Sequence, residues 1–173
     1  MGHRVGSSTA DVGVTIQVAG QVRTIVLIAT SDGAFGVVID RTDARRFFIF
    51  QLVIDGELFG DREPSIIGST MQELRSVPTL DVDPAVVSRL SAAEILAELR
   101  ADDSWNDATL RPSAESLDGA QVRSFICGTD VIYLAGGGVE KSVAMRIAKV
   151  PLDDYAQIVE AAVNYWSAAG ALD

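Results

Sequence analysis

Arg45-Arg46-Phe47-Phe48-Ile49-Phe50-Gln51-Leu52-Val53-Ile54-Asp55-Gly56-Glu57-Leu58-Phe59-Gly60-Asp61 is the most strand-like run of the chain. Phe48, Phe50, Leu52 and Ile54 alternate with Phe47, Ile49, Gln51 and Val53. Both sets are largely apolar, which predicts a strand covered on both faces near the middle of a sheet. Asp55-Gly56 signals a tight reversal after it. The rest of the fold is expected to pack around this strand.

Upstream, Val12, Val14, Ile16 and Val18 alternate with Gly13, Thr15, Gln17 and Ala19, the pattern of a half-buried strand. Gly20-Gln21 turns it into a second strand, Val22 to Thr30. Ser31-Asp32-Gly33 is the next turn, and Ala34 to Asp40 the third strand. Strands joined by short turns favour an antiparallel meander. Residues 1–10 read as a flexible tail, and residues 11–173 as one domain.

Downstream the period changes. Ile67, Met71, Leu74 and Val77 fit a helix from Pro64 or Ser65 to Val77, stopped by Pro78. Asp83-Pro84 opens a short helix carrying Val86, Val87 and Leu90. Ser91 with Glu94 matches a capping box for a third helix with Ala92, Ile95, Leu96 and Leu99 inward. Residues 101–120 have no clear period and read as a long loop, with a short strand around Ala108 to Leu110 as the alternative. Gln121–Cys127 and Asp130–Leu134 are strands, and Gly136-Gly137-Gly138 turns into another, Val139 to Val150. A last helix, 152–168, is expected to dock through Leu152, Tyr155, Ile158, Val159, Ala162, Val163 and Trp166. Asp153, Asp154, Glu160 and Asn164 would face water. The predicted fold is α+β: a mainly antiparallel sheet from residues 12–61 and 121–150, a helical insertion at about 65–101, and a C-terminal helix packed on the sheet.

Composition narrows function by exclusion. A chain of 173 residues with 48% hydrophobic content can bury a core without disulfides or metals. Fourteen basic against 24 acidic residues, net −10, argues against nucleic acid and anionic membranes as partners and suits a basic protein. The only histidine, His3, lies in the tail, and Cys127 is the only cysteine. That leaves no histidine-centred triad and no Cys/His zinc set, so no cofactor or metal is expected. The N-terminus lacks the apolar core of a signal peptide, which points to the cytoplasm.

Four features invite a functional reading. Ala135 to Ser142 resembles a phosphate loop, but Ala135 and Glu140 stand where glycines are required, so a hairpin turn is expected. Cys127 has no basic neighbour in sequence and is expected to be a buried, quiet thiol. Asp55, Glu57, Asp61 and Glu63 fit no cation loop and are expected to be a solvated turn. The stretch 81–118 holds nine acids against Arg89, Arg100 and Arg111. Asp102, Asp103, Trp105 and Asp107 are its candidate partner-binding residues. The acids would steer a basic partner and Trp105 would anchor it, unless Trp105 instead caps the core.

Segment 47–77 combines an apolar strand, Asp55-Gly56, Gly60-Asp61 and a helix with Leu74. It resembles immunity proteins of bacterial polymorphic toxin systems. The resemblance implies a small α+β, non-enzymatic, cytoplasmic protein that neutralises one toxin by binding it, and it carries no toxin-contact residue over to this chain. Two other classes stay open. One is a small-molecule-binding domain or carboxylate-dependent enzyme with a site between sheet and helices; the other is a secretion-system adaptor or chaperone. A pocket with converging polar groups favours the small-molecule class. A shallow acidic surface at 101–118 favours a protein binder.

Overall fold

The computed structural model describes residues 10–18, 21–42, 46–102, 109–137 and 144–170. It is an α+β fold with two antiparallel sheets. The first is the expected meander: β1 (Ala10–Val18), β2 (Gln21–Ala29), β3 (Phe35–Arg41), β4 (Phe48–Ile54) and β5 (Glu57–Phe59), adjacent in that order. Ala10 therefore belongs to β1, while residues 1–9 of the expected tail lie outside the described residues. The second sheet is β6 (Gln121–Cys127), β7 (Asp130–Gly136) and β8 (Arg146–Pro151), in sequential order.

The reversal after β4 forms because both of its residues turn left-handed. Asp55 has φ 52° and Gly56 φ 75°. A two-residue turn of that hand matches the twist of the flanking strands. β4 is fourth of five strands, so the centre of the sheet is β3 rather than β4. Its even residues Phe48, Phe50, Leu52 and Ile54 are buried in the main core, where β4 meets β7 and β8. On the other face Ile49 is buried, but Gln51 and Val53 are only half-buried and Phe47 is exposed. Full cover on both sides, expected from the alternation, is thus realised on one.

The strands of 12–61 and 121–150 do not join into one sheet, and the outer edge of β6 is taken by connector segments instead. Leu110 forms an antiparallel bridge with Ser124, and Thr79 a parallel bridge with Ile126. Leu110 and Ser124 exchange N–H···O bonds of 2.9 and 3.1 Å, and Ile126 N donates to Pro78 O at 2.7 Å. These connector segments satisfy backbone groups that another strand would otherwise take.

The helices are α1 (Gly68–Arg75), α2 (Pro84–Val87), α3 (Ala92–Ala101) and α4 (Leu152–Gly170). α1 is shorter than its apolar spacing predicts. Ser65 is held as an isolated bridge to Phe48, and Arg75 is the last helical residue before Val77-Pro78. Asp83 caps α2 through Ala85 N at 2.8 Å. Ser91 and Glu94 form the expected box on α3. The hydroxyl and backbone N–H of Ser91 hold the Glu94 carboxyl below its ordinary range. The described residues of the 101–120 stretch include a bridged residue, Leu110, and a 3₁₀ turn, Glu115–Leu117, too short to show a period; Ala108 of the alternative strand lies outside the described residues. Val139, Lys141 and Val143, expected in the last strand, lie outside the described residues, and β8 starts at Arg146.

One core lies between the inner faces of the two sheets and is closed by α1 and α4. Phe35, Tyr133 and Tyr155 meet at its centre, with ring centroids 4.6 to 5.9 Å apart. A second core packs Leu80, Val87, Ile95 and Leu99 on the opposite face of the second sheet, against Phe125, Cys127, Ile132 and Leu134. α4 docks through Tyr155, Ile158, Val159, Ala162 and Val163. One member of its expected stripe is corrected, Leu152, which is 40% exposed; Trp166 packs against the main core as expected, half-buried beside Gly68. Asp153, Glu160 and Asn164 are exposed as expected, whereas Asp154 is half-buried. No described helix is long and apolar enough to cross a membrane.

Candidate functional site

Two surfaces flank the 101–118 region. The first is the exposed part of the 81–102 segment, which carries α2 and α3. Asp81, Asp83, Glu94, Glu98 and Asp102 are all exposed there, with Arg89 and Arg100 as the basic residues among them. The capping geometry explains part of this placement. Asp83 must sit outside α2 to accept from Ala85, and Glu94 must turn back toward Ser91. The inward Ile95 and Leu99 then leave Glu98 pointing to solvent. Asp102 is the C-cap of α3, its backbone N–H donating to Glu98 O at 3.0 Å. Asp103, Trp105 and Asp107 lie outside the described residues. Of the four candidate partner-binding residues, only Asp102 is therefore placed, exposed at the end of α3.

The second surface is a cleft of about 520 Å³ between the end of α3, the 111–120 segment and the start of β6. Arg100, Arg111 and Arg123 line it, together with Asp118, and Leu96 and Leu117 supply apolar wall. Three basic residues converge there in a chain of net charge −10. Arg100 Nη2 donates to Gln121 Oε1 at 2.7 Å, which fixes one guanidinium to the base of β6. Arg111 sits between two anchored positions: Leu110 is bridged to Ser124, and Ser113 N donates to Glu73 Oε2 at 2.8 Å. This cleft was not legible in the sequence, where Arg100 and Arg111 read as minority charges of an acidic stretch and Arg123 as one residue of a strand.

Gly60 and Asp61 turn out to be scaffold. Gly60 has φ 110°, and a Cβ there would lie 3.2 Å from Leu117 Cδ2, Phe50 O and Ser116 O. Gln51 Nε2 donates to Gly60 O at 2.8 Å, and Asp61 N to Ser116 O at 2.7 Å. The hydroxyl of Ser116, itself fully buried, donates to Phe50 O. The pair seats the 114–118 segment on β4, and that segment forms one wall of the arginine-lined cleft.

The other sequence features behave as structure. Asp55 and Glu57 both meet Arg146 of β8, at 3.5 and 3.2 Å. Asp61 Oδ1 accepts from Glu63 N at 2.8 Å. Among the described residues no three His, Cys, Asp or Glu side chains group as metal ligands. Cys127 is buried, and burial, with Asp130 and Asp83 adding to it, pushes its thiol pKa up, away from the reactive thiolate. Gly136 ends strand β7, and the next described element is strand β8, where a phosphate loop would need a helix.

The chain matches no family model, no curated protein and no solved structure. The two surfaces are therefore read from their own chemistry.

Proposed function

We propose that the chain is a non-enzymatic, cytoplasmic binding protein of the immunity type, which neutralises a cognate basic toxin by covering it. The observation that carries this reading is the acidic 81–102 segment, in which Asp81, Asp83, Glu94, Glu98 and Asp102 are all solvent-exposed. Exposed charges of one sign speed encounter with a partner of opposite sign and select against others. The β4–Asp55-Gly56–β5–Gly60-Asp61–α1 unit that resembles immunity proteins adds support. Its glycine and turn residues act as scaffold here, consistent with contact residues lying elsewhere.

The test is capture of a basic partner from the native host, followed by binding kinetics at two ionic strengths and a growth assay of that partner with and without this chain. Asp102, Asp103 and Asp107 changed together to Asn are expected to slow association at low salt and flatten its salt dependence. Trp105→Ala is expected to act on dissociation. A partner that binds both variants like the parent places the contact away from 102–107. A captured partner whose expression is harmless without this chain removes the immunity role.

One observation favours the small-molecule class instead. The arginine-lined cleft is a concave site with converging polar groups, of the size at which small ligands bind.

A further inference from the structure

We propose that the pocket between the end of α1, the first half of α4 and Ile126 of β6 binds a free apolar α-amino acid. The ligand's side chain enters the pocket, and its two charged groups meet the Arg75–Glu160 pair that borders it. Such binding needs no toxin partner and no part of the acidic 81–102 segment.

The pocket has a volume of about 200 Å³. Its apolar lining is Leu74 of α1, Val77 just after it, Ile126, and Leu152, Tyr155 and Val159 of α4. Leu74, Val77, Tyr155 and Val159 are buried and Ile126 is half-buried. Leu152, which the stripe of α4 would turn inward, is 40% exposed at the pocket's border. An apolar ligand group there covers Leu152 and is itself removed from water, the contribution that dominates binding of such groups. An apolar cavity of roughly 150 Å³ accepts a benzene ring. The pocket is therefore matched to one branched alkyl or phenyl side chain and is too small for a peptide segment.

The polar border selects the rest of the ligand. Arg75, in the last turn of α1, and Glu160 of α4 both line the pocket, and Arg75 Nη2 donates to Glu160 Oε2 at 2.8 Å. Their side chains are 47% and 57% exposed, so the other guanidinium N–H groups and carboxylate lone pairs stay within reach of a ligand. An α-amino acid carries its ammonium and carboxylate on one carbon, a dipole as compact as the pair on the protein. Its carboxylate takes the guanidinium fork and its ammonium the Glu160 carboxylate, so each charge meets its opposite. A ligand with a single charge would satisfy one partner and face a like charge on the other. The exposed Arg75–Glu160 contact is worth little by itself, so opening it for the ligand costs little.

The walls are fixed before any ligand arrives. The Tyr155 hydroxyl donates to Leu74 O at 2.7 Å, which ties α4 to the end of α1. Leu152 N donates to Thr129 O at 2.9 Å and sets the start of α4, and Ile126 N donates to Pro78 O at 2.7 Å, next to Val77. A pocket held in this way loses little ordering entropy on binding.

The experiment uses the whole chain with L-leucine, L-phenylalanine, glycine, 4-methylpentanoate and 3-methylbutylamine as probes at constant ionic strength. Thermal unfolding and titration calorimetry read binding. A saturable rise in melting midpoint of about 2–4 °C is expected with L-leucine or L-phenylalanine. Glycine has the charges without the side chain and should give no shift. 4-Methylpentanoate and 3-methylbutylamine keep the alkyl chain and one charge each, and should bind about tenfold more weakly than leucine or worse. Arg75→Gln and Glu160→Gln should each weaken leucine binding about tenfold or more. Ala156→Leu, at an exposed position that lines the pocket, fills it from α4 and should abolish binding. Because Ala156 is exposed, this variant keeps the test decisive if either charge variant folds poorly. Arg89→Gln, outside the pocket, should leave binding unchanged. Three results would overturn the site: no saturable shift with leucine or phenylalanine, an equal shift with glycine, or unchanged leucine affinity in Ala156→Leu. Leucine affinity equalled by 4-methylpentanoate or 3-methylbutylamine would overturn the role of the ion pair.

Discussion

Tyr133 on β7 and Tyr155 on α4 stand hydroxyl to hydroxyl at 3.0 Å, and the Tyr155 hydroxyl donates to the carbonyl of Leu74 at 2.7 Å. A hydroxyl has one hydrogen, so Tyr133 must be the donor to Tyr155. The relay joins the second sheet, the C-terminal helix and the end of α1 through groups otherwise sealed in the main core.

Removing the middle of this relay is expected to cost more than removing its end. Tyr155→Phe strands both the Tyr133 hydroxyl and Leu74 O, a loss of about 1–3 kcal/mol. Tyr133→Phe leaves the bond from Tyr155 to Leu74 intact and should cost about 0.5–1.5 kcal/mol. Urea melts of the two variants check the order.

The same pair sets an alkaline limit on stability. Burial pushes the Tyr133 pKa from 10.0 up to about 12 and raises that of Tyr155 as well. A folded pKa above the unfolded one favours the fold fully below the unfolded value, and that contribution is lost as pH rises through the folded value. For Tyr133 the window runs from pH 10.0 to about 12. Stability should fall across it, with the phenolate absorbance of the pair appearing together with unfolding. In the Tyr133→Phe, Tyr155→Phe double variant this part of the fall should be absent. Ionisation of both tyrosines in folded protein at pH 10 would show that they are not sealed.

The two glycines flanking β5 should respond unequally to alanine. Gly56 has φ 75° with open space around a Cβ, so Gly56→Ala should cost about 1 kcal/mol through backbone strain alone. Gly60 combines φ 110° with three atoms at 3.2 Å, two of them backbone. Gly60→Ala should cost about 2–4 kcal/mol, because strain and displacement of the 114–118 segment add. Equal midpoints in chemical denaturation would mean that this segment is not seated by Gly60.

Trp166→Ala should cost about 1–2 kcal/mol. Its half-buried place against Gly68 lowers the figure from the about 3–5 kcal/mol of a core tryptophan. Ile158→Ala, at a fully buried position on the same helix, should cost about 2–5 kcal/mol. A larger loss from Trp166 than from Ile158 would reverse the assignment of the docking face.

Cys127 should react with a thiol reagent only as fast as the protein opens. It is 3% exposed, and its pKa is raised, chiefly by burial. Native labelling is therefore expected to slow in proportion as stabilising conditions suppress opening. Fast stoichiometric labelling of folded protein would instead make it a surface thiol.

Local chemistry decided what the sequence could show. The alternation in β4, the left-handed Asp55-Gly56 turn, the Asp83 cap and the Ser91–Glu94 box each depend on residues a few positions apart, so they read directly and the α+β class followed. Boundaries read less well where a distant partner intervened: Ser65 looks helical by spacing but is held by Phe48. Tertiary structure alone decided three things. It divided the strands into two sheets and set Thr79 and Leu110 on the edge of β6. It set Trp166 half-buried beside Gly68. It also brought Arg100, Arg111 and Arg123 to one cleft from a helix end, a loop and a strand. Spacing along a chain fixes which face of an element a residue occupies, but not which other element meets that face. An acidic average therefore concealed a place where three arginines line one cleft.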